Sequence, residues 1–255
     1  MIKVGIIGGL GKMGQEAIKA ISKDKNMQLS GIVDIFFVNE TKNIDNIEYK
    51  VYGSIEELAD KVDVFLDLTG PNTVFENAKK TIELGKNLII GATGLSNENI
   101  EYLKKISDEK NVNVMIIPNF AIGAVLMMEF SKKAAEYLNE VEIIEYHHPA
   151  KLDAPSGTAI KTAQLIQEVK LDRGELVGTE LIKGARGATL GDINIHSVRL
   201  NGFVASQEVI FGGLGQTLTI RHDSINRESF MPGIIMCIKK IGEIRGLIYG
   251  LENLL

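Results

Sequence analysis

Apolar positions in the first half of the chain fall into short, nearly continuous runs. Between the runs they recur every three or four residues. The runs predict strands over residues 2–7, 29–34, 62–68, 87–90 and 112–117. The intervening stretches predict helices over 12–21, 54–59, 73–84 and 97–109. Strands apolar on both faces, alternating with helices, imply a parallel sheet covered on both sides. After Pro118 the pattern changes. A helix is predicted over 124–138, a strand over 141–146, and a helix starting near Ser156. From 193 onward, strands are predicted over 193–200, 203–211 and 216–222. Asn201-Gly202 supplies the residues a type I′ hairpin turn requires, and 212–215 turn the chain between the last two strands. A largely antiparallel sheet is therefore expected after the parallel one. Residues 225–247 read as helix too apolar to stand alone, packing back on the first part of the chain.

Bulk properties narrow the partners. The 255 residues suffice for one large domain or two modest ones. A formal charge of −5 without a long basic run argues against nucleic acid or an anionic membrane as partner. An anionic substrate would then need a local basic pocket. The single cysteine, Cys237, excludes an intrachain disulfide and fits a reducing compartment. The first apolar run is too short for a signal peptide, and no run approaches the ~20 residues of a membrane span, so a cytoplasmic protein is expected. Aromatic residues, at 6%, are too sparse for a surface that stacks bases.

Gly8-Gly9-Leu10-Gly11-Lys12-Met13-Gly14 follows the first strand and opens the first helix. Glycines allow a tight turn and close approach of a pyrophosphate, which the helix N-terminus then attracts. The spacing departs from G-x-G-x-x-G, and such a loop alone is also compatible with a ligand-free strand-to-helix turn. Asp34 closes the second strand about 20 residues past Gly14, where a carboxylate accepts hydrogen bonds from an adenosine ribose. It is followed by Ile35-Phe36-Phe37, with no adjacent Arg or Lys. A 2′-phosphate would be repelled there, which leans towards NADH. Lys12 leaves NADPH use open. Asp67-Leu68-Thr69-Gly70-Pro71 and Gly91-Ala92-Thr93-Gly94 end two further strands; each alone is an ordinary turn, but together with the glycine loop they suggest a shared crevice.

The richest stretch runs Glu145-Tyr146-His147-His148-Pro149-Ala150-Lys151-Leu152-Asp153-Ala154-Pro155-Ser156-Gly157-Thr158-Ala159. Two of the four histidines lie here beside a lysine, between a strand and a helix. Imidazole passes protons near neutrality, Lys151 adds a cation, and the helix start offers a carboxylate nest. No zinc-ligand spacing accompanies the histidines, so no metal is expected. No nucleophile elbow surrounds Ser156, which also reads as an N-cap. Arg186, flanked by glycines, reads equally as a substrate-closing or a solvated loop residue. Arg199, Arg221 and His222 read as interface or surface groups, and Met127-Met128 as core.

This stretch resembles the E-x-H-H-x-x-K-x-D-A-P-S-G-T-A motif of the dihydrodipicolinate reductase family. Residues 8–14, 91–94, 118–123, 184–187, 195–199 and 215–222 are also similar to family segments. The resemblance implies an α/β fold: a Rossmann-type parallel-sheet nucleotide domain plus an α+β substrate domain with a mostly antiparallel open sheet. The nucleotide domain would span 1–120, completed by a C-terminal helix over 226–255. The substrate-binding and tetramerisation domain would span 121–225. The implied reaction is reduction of 4-hydroxy-tetrahydrodipicolinate to tetrahydrodipicolinate by NADH and/or NADPH, in the diaminopimelate route to lysine, by a homotetramer.

Carried over by position, His147 is the acid/base residue and Lys151 the proton donor. His148 binds substrate, and Gly157 and Thr158 hold its carboxylate. Gly8, Gly9, Leu10, Gly11, Lys12, Met13 and Asp34 would line the cofactor from the first two strands. Gly91, Ala92 and Thr93, with Ile117, Pro118, Asn119 and Phe120, would line it from two others. Lys12 stands where the family commonly has arginine, Ala92 where it has threonine, and Ser206 where histidine is expected.

Overall fold

The computed structural model describes residues 1–37, 40–44, 47–169 and 179–255. Those residues divide into two compact units, one formed by 1–120 with 230–255 and the other by 121–229.

The first unit begins with β1 (Ile2–Ile7), α1 (Lys12–Lys23) and β2 (Met27–Val33). It continues through β3 (Thr41–Ile44), β4 (Ile47–Tyr52), α2 (Ile55–Ala59), β5 (Val64–Asp67) and α3 (Val74–Glu83). β6 (Asn87–Ile90), α4 (Asn97–Lys110) and β7 (Val114–Ile116) follow. The second unit holds α5 (Ile122–Ala135), β8 (Glu140–His147), α6 (Gly157–Gln167) and β9 (Ala188–Leu190), then β10 (Ile193–Arg199), β11 (Ala205–Gly213) and β12 (Gln216–Ser224). The chain then returns to the first unit with α7 (Met231–Lys240) and β13 (Leu247–Tyr249).

In the first unit the strand order is β13-β7-β6-β5-β1-β2-β4-β3, parallel except for the β3–β4 pair. Burial on both faces explains the continuous apolar runs. On one face, Ile7, Leu58, Phe65, Ile82, Leu88 and Leu103 join a single apolar cluster. On α1, Gly14, Ala17, Ile18 and Ile21 are buried, one stripe of the helix. Helix α4 starts with a capping box: Ser96 Oγ accepts the Asn99 N–H, and Asn99 Oδ1 accepts the Ser96 N–H. It ends at Asn111, which takes the left-handed conformation.

The second unit's sheet has the order β12-β11-β8-β10-β9. The expected hairpin across Asn201-Gly202 does not form. β10 and β11 instead flank β8, β10 parallel and β11 antiparallel to it. Gly202 still turns with φ +98°, but the link passes across the end of β8, where the Leu200 N–H donates to the His147 carbonyl at 3.0 Å. The reason is burial: the inward positions Ile143 and Glu145 are fully covered, so β8 needs neighbours on both edges. β11 and β12 do form a hairpin, with Gly213 opposite Gln216.

The C-terminal segment is not the single helix expected over 226–255. A short 3-10 turn leads into α7, and β13 then adds a parallel strand beside β7. Gly233 of α7 packs so closely on the Phe120 carbonyl that no side chain fits there. Three residues of strand carry too little periodicity to be read beforehand, as with β9.

Candidate functional site

In the first unit the glycine loop is shaped by contacts that exclude side chains. Gly8 has φ +76°, and a Cβ there would sit 2.9 Å from Thr69 Cγ2. A Cβ on Gly9 would sit 2.9 Å from Ile32 Cγ2, and one on Gly14 would overlap the Gly9 carbonyl. Gly11 is the N-cap of α1 and brings no side chain to it. The Leu10 carbonyl accepts from Gln15 Nε2 at 3.0 Å, while Lys12 and Met13 form the first turn. The helix start is thus kept open on the side a phosphate would approach.

Beside this loop lies a cavity of about 340 Å³ lined by Gly8, Asp34, Phe36, Ser54, Thr69 and Lys80, among others. Asp34 Oδ1 accepts the Phe36 N–H at 3.0 Å, which fixes the carboxylate at the end of β2. Lys80 is paired with Glu56 at 2.7 Å. Glycines that leave no room for side chains, an open helix start and a strand-end carboxylate fit an adenine dinucleotide.

The neighbouring strand ends close up against the loop. Asp67 is fully buried and accepts from the Thr69 N–H (2.8 Å), Thr69 Oγ1 (2.6 Å) and Asn77 Nδ2 (3.1 Å). Burial pushes its carboxyl above the ordinary range, against the hydrogen bonds that lower it. Gly94 packs on Pro71, and a Cβ on Gly91 would meet Phe120 Cε2 at 2.5 Å. Ala92, Ile117 and Phe120 are buried, whereas Thr93 and Pro118 are exposed. The loops after β1, β5, β6 and β7 therefore adjoin along one sheet edge. Thr69 belongs to the strand-end segment picked out from sequence, whereas Asn77, Ser54 and Lys80 were not singled out as site residues, because none belongs to a recognisable spacing.

In the second unit the conspicuous feature is Glu145, a fully buried carboxylate on β8. His147 Nδ1 lies 2.5 Å from Glu145 Oε2. Arg199 grips both oxygens, Nη1 to Oε2 and Nη2 to Oε1, each at 2.8 Å. The Ser156 N–H adds a contact to Oε1 at 3.3 Å. Burial alone would raise the Glu145 carboxyl, but the bonds from His147 and Arg199 prevail and bring it down to about 2. Period-two geometry explains the grouping: Glu145 and His147 share a face of β8, and Arg199 stands opposite His147 on β10. Arg199 is therefore not the surface or interface group expected from sequence. Its role depends on the parallel β8–β10 pairing, which the sequence does not announce.

Around this group, Lys151 Nζ donates to both Asp153 oxygens, at 2.8 and 2.9 Å. That hydrogen bond lowers the Asp153 carboxyl. Ser156 caps α6, its Oγ accepting the Ala159 N–H at 3.2 Å. Gly157 opens that helix with free space where a Cβ would stand, and Thr158 follows. His148 is exposed at the end of β8. The structure thus places His147, Lys151, Gly157 and Thr158 around the end of β8 and the start of α6.

Arg186 lies elsewhere, 3.4 Å from Glu142, which also meets His196 at 2.7 Å and Asn194 at 2.9 Å. Arg221 pairs with Asp223 and lies over the Tyr146 ring. His222 is instead half-buried against Gly123, and burial lowers its imidazole. Met127 and Met128 are core. Among the described residues, no group of three or more His, Cys, Asp or Glu could hold a metal ion.

Comparison with known proteins decides the family. Residues 2–120 match the profile "Dihydrodipicolinate reductase, N-terminus", and residues 123–255 match "Dihydrodipicolinate reductase, C-terminus". The chain belongs to the dihydrodipicolinate reductase family. It is similar to the 4-hydroxy-tetrahydrodipicolinate reductase of Syntrophomonas wolfei, 49% identical over 99% of this chain and 98% of that one. The enzyme of the same name from Halalkalibacterium halodurans is 48% identical over the full length of both. Among solved structures, a dipicolinate-bound dihydrodipicolinate reductase from a Paenisporosarcina species superimposes with a TM-score of 0.90, at 45% identity and full coverage of both chains. The glycine loop and the His147 group are thus parts of a pyridine-nucleotide-dependent reductase fold.

Proposed function

We propose that this chain reduces 4-hydroxy-tetrahydrodipicolinate to tetrahydrodipicolinate, with loss of water, as the reductase of the diaminopimelate route to lysine. The observation that carries this reading is the grouping of a carboxylate-anchored imidazole, an ammonium and an open helix start within one short stretch. A reduced nicotinamide supplies hydride. His147 acts as the acid/base group and Lys151 as proton donor, because hydride addition to an unsaturated ring demands a proton. Lys151 is held by Asp153 in this structure, and a substrate carboxylate is the competing anion that would draw it away. Gly157 and Thr158 hold that carboxylate at the positive end of α6, and His148 binds the ring's other polar groups.

The loop at 8–13 holds the pyrophosphate, and Asp34 holds the adenosine ribose. The nicotinamide end lies along Gly91, Ala92 and Thr93 with Ile117, Pro118, Asn119 and Phe120. Asp34 carries negative charge where a 2′-phosphate would lie, and Lys80 is neutralised by Glu56, so NADH is the better cofactor and NADPH the weaker. The working form is a cytoplasmic homotetramer joined through the second unit's sheet, with domains 1–120 plus 226–255 and 121–225. No helix among the described residues is long and apolar enough to cross a membrane.

A coupled assay tests the reading. The unstable substrate is generated from pyruvate and aspartate semialdehyde by its synthase, and loss of reduced-nicotinamide absorbance is followed. Oxidation is expected with both cofactors, with the higher kcat/KM for NADH. No oxidation with either rejects the function, and a higher kcat/KM for NADPH rejects the cofactor assignment alone.

A further inference from the structure

We propose that Glu145, clamped by Arg199, is a positioning residue that sets the tautomer of His147 and fixes the loop carrying Lys151. This rests on the proposed function above and extends it to two residues that motif reading leaves without a role.

The geometry is specific. An ionised carboxylate only accepts hydrogen bonds, and Glu145 stays ionised in this setting. Its Oε2 lies 2.5 Å from His147 Nδ1, so that nitrogen must carry the proton. Nε2 is then the basic nitrogen of the neutral ring and the one available to exchange a proton with a ligand. The His147 bond and Arg199 together allow a carboxylate to remain charged with no exposed surface. Arg199 binds both oxygens in the planar, two-point manner that only a guanidinium provides.

The clamp reaches further than the imidazole. Arg199 Nη2 also donates to the Asp153 carbonyl at 2.8 Å, and Asp153 is the residue that holds Lys151. Glu145 Oε1 accepts the N–H of Ser156, the N-cap of α6. One buried pair therefore ties β8 and β10 to the 148–156 loop and the start of α6. A buried ion pair adds little stability over well-packed apolar groups. The polar attachments to His147, Ser156 and Asp153 beyond the pair itself point to orientation as its contribution.

The substitution that separates orientation from mere packing is Glu145→Gln. Glutamine keeps the shape, but its amide nitrogen can donate to Nδ1 and thereby favour the opposite tautomer. The readout is the nitrogen-15 spectrum of the four histidines with reduced nicotinamide and substrate absent, His147 being assigned by its loss in His147→Asn. The wild-type neutral ring is expected to be protonated on Nδ1, and in Glu145→Gln on Nε2. In the coupled assay kcat is expected to fall on the order of 100-fold while the substrate KM changes by less than about threefold.

A wild-type His147 protonated on Nε2 overturns the proposal, as does an unchanged kcat in folded Glu145→Gln. Should that variant not fold, the wild-type spectrum decides alone. The spectrum needs no turnover. A protein that shows Nδ1–H on His147 yet reduces no cyclic imine loses the proposed function and keeps the tautomer assignment. A protein that turns over with Nε2–H loses this inference only.

Discussion

The two units build their candidate sites in opposite ways. Around Gly8–Gly14 the site is made by leaving side chains out: three glycines stand where a Cβ would strike Thr69, Ile32 or the Gly9 carbonyl. Around Glu145 the site is made by bringing charged side chains in, from β8, β10 and the loop before α6. A site of the first kind should break when an atom is added, and one of the second kind when a partner is removed. The first is shaped mainly by backbone; the second depends on paired charged side chains.

That contrast can be tested from its largest effect downward. Changing His147 or Lys151 to Ala should lower kcat on the order of 100- to 10,000-fold, while NADH affinity, read by quenching or calorimetry, is retained. Lost NADH binding in either variant would mean that the two sites are not separable in this way. Next, Arg199→Met leaves Glu145 buried without its cation, and should cost about 3–5 kcal/mol in thermal or urea unfolding. An unaltered unfolding curve would remove the clamp from consideration.

The acid dependence follows from the same carboxylate. Its folded value of about 2 lies below the ordinary 4.5. A lowered carboxyl stabilises fully above the unfolded value, and that contribution disappears as pH falls through the folded one. For Glu145 the full contribution is about 3 kcal/mol, of which about 2 kcal/mol is lost by pH 3. Urea unfolding at pH 6 and pH 3 should show the loss in the wild type and a shallower one in Glu145→Gln; parallel slopes would contradict it. The smallest effect belongs to the glycine loop. Gly14→Ala should cost about 1–3 kcal/mol through overlap with the Gly9 carbonyl and weaken NADH binding, with the His147 spectrum unmoved.

The same contrast explains what the sequence disclosed. The nucleotide unit was legible because its signals are local: a buried strand, a glycine loop and an amphipathic helix follow one another within two dozen residues. The stretch from Glu145 to Ala159 was legible for the same reason. Arg199 was not, since it reaches Glu145 from 54 residues away through a strand pairing that burial, rather than turn chemistry, selects. Asn201-Gly202 carried a real turn signal and still misled, because a turn sets direction and does not decide which strand lies alongside. The edge strands β3, β9 and β13 are three or four residues long, and take their form from the sheet they join.

β13 has a consequence for biosynthesis. It pairs with β7, and the Asn113 side chain donates to the Ile241 carbonyl at 2.9 Å. The edge of the nucleotide sheet is therefore supplied only after residues 121–229 have been translated. A ribosome-bound chain arrested near residue 230 should carry a sheet with β7 uncovered, more open to protease at residues 112–117 than the released protein. Emergence of residues 230–255, rather than completion of the first 120 residues, is when that unit closes.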